Sequence, residues 1–395
     1  MNDDFNARQR AITLRLGGRS AVQICQLLGR SKPWLNKWWR RYLEFGAEGL
    51  YDLTRAHRQV ATRIPPELER AILSIRRHLE AQTGPGARYQ LIGASAIAAE
   101  LQALHIQPQP SLRTIDRVLQ RNGITLPRLR RPRLLPRQFY PGPKAEQSNE
   151  LHEVDLVGPL YLKGRSQRYY IWVCKDAFDG AVCLRLAYSR DMSELLCFLG
   201  ECWKTLGRPR QIQFDNAREI AGWGPGARYL SRVIRLCLYF GILTIFIPPG
   251  EPQYNGSAEN FNGWFQPRLL QRKFHWPGDL RRELAVLEET VNTQHVHARL
   301  GGLTPAQHRR RQRLQKLPPR YIVPTEPLPV AAGRVIFIRR VSWAGFVSVL
   351  SQSYRIGKRH NGLYVKLVLD TRHGHLTAYL DGRRIKRWPY HLLNN

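Results

Sequence analysis

The sequence predicts a multidomain chain: two helix-turn-helix modules, an α/β core built on a mixed sheet, and a small all-β barrel at the C-terminal end. Three observations carry that prediction. Capped helical periodicity fills roughly the first 120 residues, β-rich runs begin at Leu151 and then alternate with helices, and the last segment is strand, turn, strand throughout. The length of 395 residues agrees, because one core rarely grows that large.

The first module spans residues 1–53. In SAVQICQLLGRSKPWLNKWWRRYLEFG, Ser20 caps a short apolar helix, Gly29 turns the chain, and Ser31 with Pro33 opens the next helix. Leu35, Trp38 or Trp39, and Tyr42 recur at helical spacing and face the core, leaving Lys37, Arg40 and Arg41 to project toward a groove or its phosphates. A second module of the same kind, winged-helix-like, spans 65–126. GASAIAAELQAL gives one helix, PQP breaks it, and SLRTIDRVLQRNG gives the next, with Leu112, Ile115 and Leu119 inward and Arg113, Arg117 and Arg121 outward.

Residues 127–148 form a basic, proline-rich linker, in which Arg128, Arg130, Arg131 and Arg133 suit an extended strand tracking phosphates. The whole chain is basic, with 62 Lys and Arg against 30 acids and a formal net charge of +32, so a polyanion such as nucleic acid is the expected partner. No apolar run of about 18 residues and no signal-peptide core is present, so a membrane role is not expected and the chain reads as cytoplasmic. Six scattered cysteines without a CxxC pair argue against a zinc module or a disulfide framework.

The core spans 149–315, where LHEVDLVGPLYL, RYYIWVCKDAF and AVCLRLAYS precede alternating helices and strands. Three acids stand at ends where one place could collect them. Asp155 lies in the first strand, Asp215 ends QIQFD, and Glu259 opens a helix behind Asn255-Gly256. Any one alone would be an ordinary turn former or cap. Carboxylates about 4 Å apart repel by about 4 kcal/mol at an effective dielectric of 20, a cost that divalent cations relieve, and hard oxygen ligands suit Mg²⁺ or Mn²⁺. Neither GxxxxGK[ST] nor GxSxG occurs, since Gly357-Lys358 is followed by Arg359, so ATP and serine chemistry are not indicated. Trp264 is expected in the core, and His295, His297, His373 and His375 on the surface.

On HEVDLVGPL, IQFDNAREI, IPPGEPQYNGSAENFNGWF and the trailing HARLGGLTPAQH, the chain resembles the integrase-core transposases and retroviral integrases, the DDE polynucleotidyl transferases with a ribonuclease-H-like catalytic core. Two glutamates compete for the third position. Thirty-five residues separate Asp215 from Glu251 and 43 separate it from Glu259. The shorter gap resembles the retroviral spacing, but Glu251 sits between Gly250 and Pro252 where no helix forms, whereas Glu259 follows the Asn-Gly pair on a helix, as the family places it. The extra length then falls in a loop around AGWGPGARY.

The resemblance implies that Asp155, Asp215 and Glu259 hold two Mg²⁺ or Mn²⁺ ions per active site, with Asp155 bridging. It implies cleavage at transposon-end inverted repeats and joining of 3′-hydroxyl ends to target DNA. Asn255, Asn260, Asn262, Arg268 and Lys273 are then placed to touch DNA near the scissile phosphate. It further implies a homodimer or homotetramer on double-stranded DNA, room for an accessory ATPase in target choice, and a bacterial, nucleoid-associated location. The barrel over 327–395, SH3-like, would add DNA or subunit contacts. A catalytically silent DNA-binding regulator and a structure-specific nuclease of the same fold are the rival readings.

Overall fold

The computed structural model describes residues 3–52, 64–126, 139–215 and 229–391. Arg128, Arg130, Arg131 and Arg133, and most of the glycine-rich loop after Asp215, lie outside the described residues. The chain divides into two units, Met1–Ile64 and Pro65–Asn395.

The first unit packs helices α1 (Asp3–Leu16), α2 (Ala21–Leu28) and α3 (Lys32–Phe45). Its punctuation is that of the sequence. Ser20 and Gln23 form a reciprocal cap on α2, Gly29 takes φ 61° at its end, and Ser31 caps α3 with Pro33 in the first turn. Ile24, Leu35 and Trp38 are buried at the centre. Arg8 lies 3.9 Å from the Trp38 ring, donates to the Leu50 carbonyl at 2.8 Å and pairs with Asp52 at 3.0 Å, which closes the third helix onto the first.

The second unit opens with α4 (Pro66–Ala81), α5 (Ala94–Ala103) and α6 (Leu112–Arg121). Ser111 caps α6, and Ile115, Val118 and Leu119 fill its inner face. Leu112, expected in that stripe, is 38 % exposed, and Val118 takes an inward position instead. This module docks on the α/β core through a 3-10 turn at Ala87–Tyr89. Tyr89, fully buried, donates to Glu283 at 2.8 Å, and the ring of His295 hydrogen-bonds the Tyr89 carbonyl at 2.6 Å. Gly86 is required there: it holds φ 84°, and a Cβ would collide with the Thr290 hydroxyl.

The core is a nine-stranded mixed sheet in the order β11-β10-β9-β6-β5-β4-β1-β2-β3. Strands β1 (Leu151–Tyr161), β2 (Arg168–Asp176) and β3 (Val182–Ala187) form an antiparallel meander, and β4 (Gln211–Phe214) and β5 (Leu243–Phe246) add in parallel beside β1. Alternation sorts the residues of β2. Trp172 and Cys174 face α7 (Met192–Thr205) and α8 (Arg232–Tyr239), whereas Tyr169, Ile171 and Val173 face α9 (Gly256–Leu269) and α10 (Pro277–Gln294). Each such buried side chain contributes about 1.5–3 kcal/mol, so both faces hold β1 in place. Helix α11 (Pro305–Arg310) then returns Arg309 to the β2–β3 turn.

The C-terminal strands do not stand apart as the expected separate barrel. Strand β6 (Arg334–Arg340) pairs in parallel with β5, and β9 (Tyr364–Asp370), β10 (His375–Leu380) and β11 (Arg383–Pro389) continue the same sheet. The hairpin of β7 (Phe346–Val349) and β8 (Gln352–Arg355) curls over it, with Tyr354 and Trp388 rings 5.1 Å apart. The physical reason is twofold. Without β6 the β5 edge would leave a row of backbone groups unpaired, and Val335 and Phe337 alternate into the core that already holds Phe246, whose ring stacks on Phe337 at 5.2 Å. The Asp381-Gly382 hairpin expected from the sequence joins β10 to β11, both residues at positive φ. Among the described residues, no helix is long and apolar enough to cross a membrane.

Candidate active site

Strand register brings the first two acids together. Val154 pairs with Phe214 at the end of the parallel β1–β4 ladder, so the next residues, Asp155 and Asp215, stand on neighbouring strands. Adjacent strands lie about 4.8 Å apart. Both carboxylates line one cleft of about 350 Å³, with Arg168, Arg190, Tyr170 and Trp172 in its walls.

The third acid comes from the opposite layer. Helix α9 begins at Gly256, directly after Asn255, and Glu259 sits in its first turn. Glu259 is not among the residues lining that cleft, yet its charge reaches Asp155. Burial raises the Asp155 carboxyl to about 6, the negative charges of Asp215 and Glu259 push the same way, and hydrogen bonds from the Leu156 N–H (2.9 Å) and Asn262 Nδ2 (2.6 Å) oppose them. All three acids are partly exposed, so solvent and ligands can reach them.

Why α9 starts where it does is written in β1, β2 and β4. Glu153, two residues before Asp155 and on the same sheet face, is buried and accepts the Ala258 N–H at 2.8 Å, a carboxylate placed on the helix N-terminus. Its neighbour across the ladder, Lys175, donates to the Ser257 carbonyl at 3.2 Å. Asn255 Nδ2 donates to the Val154 carbonyl at 3.2 Å, and Gln213 Nε2 to the Tyr254 carbonyl at 3.0 Å. These contacts tie the first turn of α9 to the strands that carry Asp155 and Asp215. Glu153, Lys175 and Gln213 were missed in the sequence; the period-2 offset of Glu153 from Asp155 was the available signal.

Several expected DNA contacts are occupied elsewhere. Asn255 and Asn262, 2 % and 5 % exposed, serve the fold and Asp155 rather than a ligand surface. Arg268 donates to the Trp264 carbonyl at 2.6 Å and packs over that ring, because its position one turn after Trp264 folds it back along the helix. Arg121 is clamped by Glu69 of α4, and Arg41 donates to the Tyr51 carbonyl at 2.7 Å over the Trp38 ring. Lys37, Arg40, Arg113, Arg117, Asn260 and Lys273 are exposed, with Lys273 on a separate cleft beside Leu160 and Phe274.

Other expectations divide in the same way. Trp264 packs against the α9–α10 core, as its type suggests. His295 was expected on the surface but is buried, because α10 ends at Gln294 and the next residue turns inward to Tyr89; burial lowers its imidazole to about 4. His297 is half-buried and lowered for the same reason. His373 is exposed and pairs with Asp370 at 3.1 Å. Glu251 accepts a hydrogen bond from Tyr364 of β9.

Two models of homeodomain-like helix-turn-helix domains match the chain, over residues 34–119 and 7–51. Among solved structures, a chain of the simian T-cell lymphotropic virus intasome with PP2A regulatory subunit B56 gamma is similar at 18 % identity, over 75 % of this chain and 98 % of that one, with a TM-score of 0.36. The HTLV-2 integrase catalytic core domain in complex with magnesium, trimeric form, matches at 19 % identity over 42 % of this chain and 98 % of its own, with a TM-score of 0.32. The BIV integrase catalytic core domain matches at 18 % identity over 42 % of this chain and 99 % of its own, with a TM-score of 0.31. With homeodomain-like modules ahead of a mixed α/β core that sets Asp155 beside Asp215, the chain resembles the DDE integrase-core transposases and retroviral integrases.

Proposed function

We propose that the chain is a DNA transposase or integrase. Modules 1–53 and 65–126 bind the inverted repeats at transposon ends, the core 149–315 cleaves there and joins the freed 3′-hydroxyls to target DNA, and the strands of 327–395 add DNA or subunit contacts. One observation carries this reading: the β1–β4 register places Asp155 beside Asp215, and both Asp215 and Glu259 raise the Asp155 carboxyl.

A trio of mutually repelling, partly exposed carboxylates fits hard divalent cations, so Asp155, Asp215 and Glu259 would hold Mg²⁺ or Mn²⁺, two ions per site. When bound, such ions supply Lewis-acid activation of the attacking oxygen and charge relief for the leaving one. The chain's own residues supply the positioning. Asn262 fixes the Asp155 carboxylate, and Glu153, Lys175 and Asn255 hold the helix turn that presents Glu259. Arg168, exposed at the cleft, suits a DNA phosphate, and Lys37, Arg40, Arg113 and Arg117 offer exposed charge on the helix-turn-helix modules. Joining two ends in one event calls for a dimer or tetramer on DNA.

The test is a Mg²⁺-dependent reaction of the full chain with DNA carrying the element's own ends. Nicked ends and joined products are expected, and Asp155→Asn should lower both by at least about 10³-fold while end binding persists. Undiminished joining by Asp155→Asn, Asp215→Asn and Glu259→Gln overturns the reading. Nicks without joined products point to the nuclease, and end binding without any product points to the regulator.

A further inference from the structure

On the sheet face away from Glu259's helix, four side chains of metal-ligating type converge in the core. His152 stands on β1, Cys174 on β2, Cys183 on β3 and Cys202 on α7, which covers that face. Register explains the meeting. Cys174 pairs directly with Cys183, and His152 pairs with Asp176, two residues from Cys174, so all three point to the same side of the sheet. The Cys202 thiol lies close enough to Cys174 and Cys183 to act on both. The ligand atoms of His152, Cys174 and Cys202 lie within 4.8 Å of one another.

An independent observation comes from the histidine. His152 is fully buried, its Nε2 is 2.9 Å from Asn149 Oδ1, and its Nδ1 has no hydrogen-bond partner. An amide oxygen accepts only, so Nε2 carries the proton and Nδ1 keeps a buried lone pair without a partner. A buried, unsatisfied ring nitrogen is costly. Metal-bound histidines are oriented in this way, by a hydrogen bond from the other nitrogen to an oxygen acceptor. Here the acceptor is itself fixed, since Asn149 donates to the Leu206 carbonyl at 2.8 Å and receives Arg309 at 3.1 Å.

The geometry points to a thiophilic-metal site, taking Zn²⁺ or a cation of like softness, formed by His152 Nδ1, Cys174 Sγ and Cys202 Sγ with Cys183 Sγ as fourth ligand. Tetrahedral zinc places its N and S ligands about 3.7 Å apart, so the spread of up to 4.8 Å among His152, Cys174 and Cys202 contracts by roughly 1 Å on loading, and Cys183, opposite Cys174 in the ladder, closes in as the fourth. Each ligating thiol releases its proton to solvent. The site is closed, with four protein ligands and no exposed face, which makes its role structural: it would staple β1, β2, β3 and α7 together behind the acids. Sequence spacing misses it because each ligand comes from a different element.

Tag-free full-length protein grown with zinc and dialysed against EDTA should retain one zinc per chain by elemental analysis, and Asp155→Asn should retain it equally. Exchange into Co²⁺ should give the thiolate-to-cobalt charge-transfer band and strong visible bands of a tetrahedral site, which a carboxylate site cannot produce. Cys174→Ser and Cys202→Ser should lose both. If those variants do not fold, the wild-type cobalt spectrum decides alone. Folded wild-type protein without zinc and without the charge-transfer band overturns the proposal, as does metal that disappears in Asp155→Asn.

Discussion

Two clusters of carboxylates lie on or beside β1 and β2, and their surroundings differ. Asp176 and Asp179, both wholly buried, receive a guanidinium from α11: Arg309 Nη2 lies 2.7 Å from Asp176, and the same side chain reaches the Leu206 carbonyl at 2.7 Å. Even so, burial and the charge of Asp179 hold Asp176 up at about 6. Asp155, by contrast, takes its hydrogen bonds from the neutral donors Leu156 N and Asn262, and Asp215 and Glu259 repel it across a cleft open to solvent. The lesson is that the chain brings its own cation to acids that hold the fold. Asp215 and Glu259 instead push the Asp155 carboxyl up, beside a cleft whose walls also hold Arg168 and Arg190.

The largest expected effect tests the buried cluster. Arg309→Met leaves two desolvated carboxylates without their guanidinium and should cost about 3–5 kcal/mol of stability, read from urea denaturation. Asp155→Asn should cost nothing in the same assay, because it removes repulsion. A loss below about 1 kcal/mol for Arg309→Met would mean that the guanidinium does not hold the buried pair.

Next in size is the residue that orients the cleft acid. Asn262 is buried, donates to Asp155, and keeps its other amide atom without a hydrogen bond. Asn262→Leu, close in volume, should leave thermal stability nearly unchanged while lowering Mg²⁺-dependent end cleavage by about 10–100-fold. Equal loss of folding and activity would make Asn262 a core residue only.

Glu288 on α10 is an intermediate case, an acid whose charge a proton removes. It is half-buried beside a surface cleft and accepts the Leu184 N–H at 2.6 Å, and burial raises its carboxyl to about 7. The folded protein then binds a proton that the unfolded chain has released above its ordinary pKa near 4.5, so stability falls as pH rises from about 4.5 to about 7 and is flat beyond. Glu288→Gln should remove that slope, worth about 1–2 kcal/mol after solvent screening, in denaturation curves across the window. A variant with the wild-type slope would assign the proton elsewhere.

How much of this was legible follows from which forces are local. Caps and turns announce themselves: Ser20, Gly29, Ser31, Ser111 and Asp381-Gly382 stand where the sequence places them. The helix behind Asn255-Gly256, on which the family resemblance sets Glu259 rather than Glu251, also starts where the sequence places it. What the sequence hides is pairing across distance. Nothing near Val335 says that it will lie beside Thr244, so the C-terminal strands read as a separate barrel. Nothing near Arg121 says that Glu69 will hold it, nor near His295 that Tyr89 will cover it. Residues that tie one element to another carry no periodic mark, and Glu153 and Arg309 are of this kind.

The smallest effect separates two arginines one helical turn apart on α6. Arg117 is exposed, whereas Arg121 gives its guanidinium to Glu69, which also accepts from Asn122 at 2.9 Å. An arginine that neutralises a phosphate releases a counterion, so removing it reduces the slope of log K against log salt by about 1. Arg117→Ala should do so for binding to end DNA and weaken binding a few-fold at moderate salt. Arg121→Ala should leave the salt slope unchanged and act on the packing of α6 against α4 instead, because the paired charge was never offered to DNA. Identical slopes for both variants would mean that DNA draws Arg121 away from Glu69, and the ion pair would then be a property of the free protein alone.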